Sequence, residues 1–107
     1  MYPIWYNSRM KAVFTTEVFD EWFEALRDKQ AARRIQARID RAEEGNFGDC
    51  KSVGEGVSEM RIHFGPGYRV YFVQRGLEIV ILLAGGDKST QDKDIRMALG
   101  LAQQLKE

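Results

Sequence analysis

The tightest constraint on the fold is the alternation on either side of Gly65-Pro66-Gly67. Side chains along a strand point to opposite faces with a period of two, so Met60, Ile62 and Phe64 project one way and Glu59, Arg61 and His63 the other. The Gly-Pro-Gly run reads as a turn, and Tyr68 to Gln74 returns as the next strand. A three-residue loop sets Phe64 opposite Tyr68, His63 opposite Arg69, Ile62 opposite Val70, Arg61 opposite Tyr71 and Met60 opposite Phe72. One face of this hairpin is apolar, and the other gathers Arg61, His63, Arg69 and Tyr71. Arg75-Gly76 is a second tight turn, and the apolar run Leu77 to Ala84 is expected to be a central strand.

An apolar sheet face needs a cover, and the residues before it supply one. Lys11 to Phe14 reads as a short strand, with Thr15 and Thr16 as caps for a helix in which Phe19, Trp22, Phe23 and Leu26 recur at i, i+3, i+4 and i+7. Asp28 caps a second helix with an apolar stripe of Ala32, Ile35, Ile39 and Ala42, and Gly45 stops it. The short link between the two predicts a helical hairpin. Arg33, Arg34, Arg38 and Arg41 read as a solvated face interleaved with Asp40, Glu43 and Glu44. Ser89 and Asp92 resemble a capping box that opens a last helix, with Ile95, Ala98, Leu99, Ala102 and Leu105 on its apolar side. The expected fold is therefore α+β, an N-terminal helical hairpin on a curled, mainly antiparallel sheet of four to five strands, followed by a C-terminal helix.

The chain of 107 residues is long enough for one core, so residues 10–107 are read as a single domain and residues 1–9 as an extension or arm. Lysine and arginine balance aspartate and glutamate at 16 each, so any affinity for a polyanion must come from local segregation of charge. Cys50 is the single cysteine; it has no disulfide partner and no companions for a zinc site, which fits a reducing cytoplasm. The residues up to Arg9 contain no apolar run of signal-peptide or membrane-span length, and no membrane association is expected.

Two glycine-bearing motifs carry little. Gly54-Glu55-Gly56 lacks the further glycine and adjoining helix of a dinucleotide site, and Gly86-Asp87-Lys88-Ser89 lacks the upstream glycine spacing of a phosphate loop. A lysine at a helix start is still suited to an anion. The more informative group is Arg61, His63, Arg69 and Tyr71, with Lys88 one loop away. Its plain alternative is a solvated strand face whose arginines pair with Glu59 or Glu78.

The runs Phe19-Asp20-Glu21-Trp22-Phe23, Gly45-Asn46-Phe47-Gly48-Asp49, Gly54 to Arg61, Gly65-Pro66-Gly67-Tyr68-Arg69-Val70-Tyr71 and Gly85 to Gln91 together resemble the RelE/ParE toxin superfamily, specifically the HigB-like addiction-module killer proteins. The resemblance covers about Met10 to Leu105 with all elements in order. It implies a type II toxin that inhibits translation as a ribosome-dependent messenger-RNA endoribonuclease, an mRNA interferase, needing no metal or other cofactor. By position it implies Arg61, His63, Arg69 and Lys88 as catalytic residues and Lys51, Tyr71 and Gln91 as RNA contacts. The C-terminal tyrosine of some RelE enzymes has no counterpart in Gln91-Asp92-Lys93-Asp94, and Tyr71 or His63 is expected to take part of its role.

The chemistry so implied uses the 2′-hydroxyl of RNA as nucleophile, with arginine forks on the phosphate and a neutral His63, repelled by neighbouring cations, as base. The resemblance also implies a cognate antitoxin of helix-turn-helix, HigA-like type, through which the complex binds operator DNA. Two alternatives stay open: a ParE-like toxin that acts by binding DNA gyrase, and a non-catalytic remnant that binds only its antitoxin.

Overall fold

The computed structural model describes residues 10–106; the N-terminal arm expected for residues 1–9 lies outside the described residues. A short strand β1 (Ala12–Thr15) leads to helices α1 (Glu17–Glu24) and α2 (Lys29–Glu43). Strands β2 (Cys50–Gly54), β3 (Val57–Ile62), β4 (Tyr68–Arg75) and β5 (Ile79–Gly86) follow, then a single 3₁₀ turn (Lys88–Thr90) and α3 (Gln91–Lys106). The strands form one sheet in the order β1-β5-β4-β3-β2. All neighbours are antiparallel except β1, which runs parallel to β5. The α+β architecture matches the expectation, with β2 the strand that alternation did not locate.

Local chemistry sets the helix ends. The Thr16 hydroxyl accepts from the Phe19 amide at 3.1 Å and donates to the Leu83 carbonyl, so the cap of α1 is also fastened to β5. Asp28 accepts from the amides of Gln30 and Ala31 and caps α2 as expected. At the other end Gly45 adopts φ +96°, its amide donates to the Ala42 carbonyl, and the Asn46 amide donates to the Arg41 carbonyl. That paired closure is a Schellman motif, which needs the left-handed conformation glycine supplies. The last helix departs from expectation: Asp87, not Ser89, accepts from the Ser89 amide and begins the 3₁₀ turn ahead of α3.

The sheet is covered on both faces. On one, Phe19, Ile35, Ile39 and Ala42 meet Met60, Ile62, Val70, Phe72, Val80 and Leu82. The α2 stripe runs through Ala31 rather than the expected Ala32. On the other, Ala98 and Ala102 of α3 meet Val57, Tyr71, Val73, Leu83 and Ala84. A bulge in β5, between the pairs Tyr71–Ala84 and Phe72–Leu82, lets Leu83 and Ala84 both turn toward α3. Among the described residues, no helix is long and apolar enough to cross a membrane.

The β3–β4 pairing corrects the expected register. Ile62 pairs with Tyr68, Arg61 with Arg69, Met60 with Val70 and Glu59 with Tyr71. The connection is residues 63–67, because Phe64 and Gly67 close their own turn through the Phe64 carbonyl. The slip is by two positions, so each side chain keeps its face while its partner changes. Leu77, expected to open β5, instead sits exposed in the β4–β5 turn.

Candidate functional site

Arg61, near the end of β3, and Arg69, near the start of β4, stand directly opposite each other on the sheet face that α3 packs against. Like charges in that position oppose each other across a Cβ separation of ~4.5–5.5 Å. Arg69 is buried, and its Nη1 donates to the Gly67 carbonyl at 2.8 Å. Its Nε lies 3.5 Å from Glu59 Oε2, an ion pair without hydrogen-bond geometry. Arg61 is half-buried; its Nη2 is 3.5 Å from Asp49 Oδ1, and its Nε is buried without a partner. The two arginines are thus cross-strand neighbours whose Nε atoms are buried without a hydrogen bond, and an anion would approach through the part-exposed Arg61 side chain.

Glu59 anchors the arrangement from below. Its carboxylate is fully buried and accepts from Tyr71 Oη at 3.0 Å and from Gln91 Nε2 at 2.8 Å. Burial and the adjacent carboxylate push the Tyr71 phenol well above its usual range, so it stays a proton donor. Tyr71 is wholly enclosed, which corrects the expectation that it contacts RNA. Gln91 likewise donates inward to Glu59, and with Lys88, Lys93 and Arg96 it lines a cavity of about 430 Å³ at the start of α3. Tyr71→Phe is expected to cost about 1.5–3 kcal/mol, since a buried carboxylate loses a donor. Chemical denaturation measures this; an unchanged midpoint would mean that water replaces the hydroxyl.

Lys88 comes into this neighbourhood through Gly67. A Cβ placed on Gly67 would lie 3.2 Å from Arg69 Nη1 and 3.6 Å from Lys88 Cβ, and Gly67 has φ +82°. Only a residue without a side chain lets the turn pass between the two cations. Gly86 serves the same end: its missing Cβ makes room for Asp94, which accepts from the Thr90 hydroxyl and holds the first turn of α3 against β5.

His63 is placed differently from expectation. It lies beyond the end of β3, exposed, with Nε2 bonded to Asp49 Oδ2. Its hydrogen-bonded neighbour is the Asp49 carboxylate rather than Arg69. Asp49 is held below the usual carboxylate range, mainly by that bond and by the Arg61 charge. Asp49 therefore joins His63 to Arg61. Lys51 stands on the edge strand β2 opposite Glu59, one row from the arginines and exposed.

The loop carrying Asp49 is pinned by Arg38. Its guanidinium donates to the carbonyls of Arg61, Phe47 (3.0 Å) and Asp49 (3.2 Å), and burial followed by the charge of Arg41 lowers its pKa. Arg38 is thus a clamp rather than part of a solvated face. Sequence reasoning named Glu59 as an arginine partner, which the Arg69–Glu59 ion pair bears out, but missed Asp49 and Arg38 as site-building residues, along with Lys93 and Arg96. The one local signal was the placement of Lys93 and Arg96 three apart on a helix that begins beside Lys88.

A family model described as phage-derived protein Gp49-like (DUF891) matches residues 21–107. The chain belongs to this family. The match takes in α2, strands β2 to β5, α3 and every residue of the arginine cluster. The Gp49-like proteins are a toxin-like family of the RelE/HigB type, which agrees at that level with the resemblance noted above. The chain is also 55% identical over 91 residues to an uncharacterized protein of Haemophilus influenzae, a span that covers 85% of this chain and 92% of the relative.

Proposed function

We propose that this Gp49-like protein is the toxin of a type II toxin–antitoxin pair and cuts messenger RNA on the ribosome. The observation that carries the reading is the opposed Arg61–Arg69 pair, part-exposed at Arg61 and brought beside Lys88 by the turn at Gly67. A phosphodiester satisfies such a pair better than solvent does, because guanidinium forks fit phosphate oxygens.

In the proposed reaction the 2′-oxygen attacks the adjacent phosphorus, and the bond to the 5′-oxygen breaks. A 2′,3′-cyclic phosphate and a free 5′-hydroxyl result. Arg61 and Arg69 hold the charge that builds on the phosphorane oxygens. His63 takes the 2′-hydroxyl proton; with Nε2 held by Asp49, the nitrogen left for this is Nδ1. Lys88 is assigned to the leaving 5′-oxygen, which accepts a proton as the bond breaks. Glu59 touches no substrate in this scheme and acts by positioning Arg69. A free nuclease of this kind endangers its host, so a cognate antitoxin belongs to the proposal.

The test is to add the purified protein to ribosomes paused on a defined messenger and map the new RNA ends. Discrete cuts bearing 2′,3′-cyclic phosphate are expected. Intact messenger, together with loss of DNA supercoiling in a gyrase assay, would overturn the nuclease reading in favour of a ParE-like mode.

A further inference from the structure

Helix α2 separates its charges in a way its sequence does not announce. Asp40 and Glu43 face the groove beside β1, together with Asp20 of α1. Arg34, Arg38 and Arg41 lie on another side of the helix, where with Ile62, His63 and Phe64 they line a cavity of about 270 Å³. Arg34 and Arg41 are exposed, and among the described residues neither has a carboxylate within ion-pair distance. The Arg34 guanidinium sits 4.5 Å from the centre of the Phe64 ring, which leaves a flat cationic surface. Arg38 forms the floor, fixed to the backbone carbonyl of Arg61.

We infer that this groove is a second RNA-backbone site, which holds the strand where it leaves the Arg61–Arg69 pair and passes over His63. The inference rests on the nuclease reading and extends it by assigning a path to the substrate. His63 belongs to both places: it lines the groove and shares Asp49 with Arg61, so a strand that bridges the two crosses the β3–β4 turn. The ligand class follows from the lining, in which forked cations suited to phosphates surround a stacked aromatic suited to a base. An acidic protein segment would meet the same charges but would make no use of the Arg34–Phe64 stack.

The experiment compares binding of a trinucleotide and a decanucleotide, both 2′-O-methylated so that the nucleophile is blocked, to wild type and to Arg34→Glu/Arg41→Glu. Wild type is expected to prefer the longer strand. The double variant should lose about tenfold in affinity for it, and the slope of log affinity against log salt should fall by about 1.4, the value for two single-strand phosphate contacts. Trinucleotide binding should stay as in wild type. Should charge reversal disturb the helix, Arg34→Gln/Arg41→Gln is expected to shift affinity in the same direction by a smaller factor. Unchanged decanucleotide binding in both variants overturns the groove alone. Wild type that binds neither strand also overturns the groove, whereas intact messenger in the ribosome assay overturns the nuclease reading and the groove with it. A double variant that keeps the decanucleotide but loses a polyglutamate peptide overturns the inference in favour of an acidic protein partner.

Discussion

Arg69→Ala is expected to slow cleavage of ribosome-bound messenger by about 10²–10³-fold, the usual effect of removing one preorganised donor to a developing oxyanion. Arg69 is the more buried member of the opposed pair, held by Gly67 on one side and Glu59 on the other. Its removal also strands the Glu59 carboxylate among neutral donors, and breaking a buried ion pair typically costs ~3–5 kcal/mol. Activity and stability must therefore be separated. Arg69→Ala/Glu59→Gln restores the charge balance, so it should recover much of the melting temperature and none of the cleavage. Recovery of cleavage in that double variant, or wild-type rates in folded Arg69→Ala, would remove Arg69 from the reaction.

The second large effect concerns the scaffold. Gly85→Ala is expected to destabilise the fold by about 1–3 kcal/mol, the range for forcing atoms into a filled core. A Cβ at Gly85 would stand 2.2 Å from Cε3 of Trp22, inside any permitted contact, and that ring is packed on Phe19, Phe23 and Tyr68. The ring cannot yield without disturbing its neighbours, so α1 must lift from β5. Thermal melting reads the cost, at roughly 4–8 °C per kcal/mol for a domain near this size. Gly100, where an added Cβ meets nothing within 4 Å, is the control position. A Gly85→Ala melting curve that overlays the wild type would show that the indole slides freely over β5.

Much of this arrangement could be read from residue order, and the errors have physical causes. Alternation assigned Glu59 to Ile62 of β3 and Tyr68 to Phe72 of β4 to their proper faces, because a two-residue slip preserves parity. It misplaced partners, because Gly65-Pro66-Gly67 marks a turn without showing that His63 and Phe64 belong to the connection. Alternation also says that Tyr71 shares a face with Arg61, but not that α3 covers that face at Tyr71. Tyr71 therefore looks available to RNA from residue order alone, whereas it is sealed beneath the helix. Asp49 escaped notice and Arg38 reads as solvated for a related reason. Their partners lie far along the chain, and the helical spacing of Arg38 with Arg34 and Arg41 does not show that it clamps a loop.

The parallel pairing of β1 with β5 carries a consequence for synthesis. The first strand in the chain has a single neighbour in the sheet, and that neighbour is the last strand to be made. During translation Ala12–Thr15 must wait, without a ladder to join, until Gly86 has cleared the ribosomal exit. The sheet cannot close until β5 has been made, which leaves a nascent copy incompletely assembled while it is still tethered to the machine that makes it.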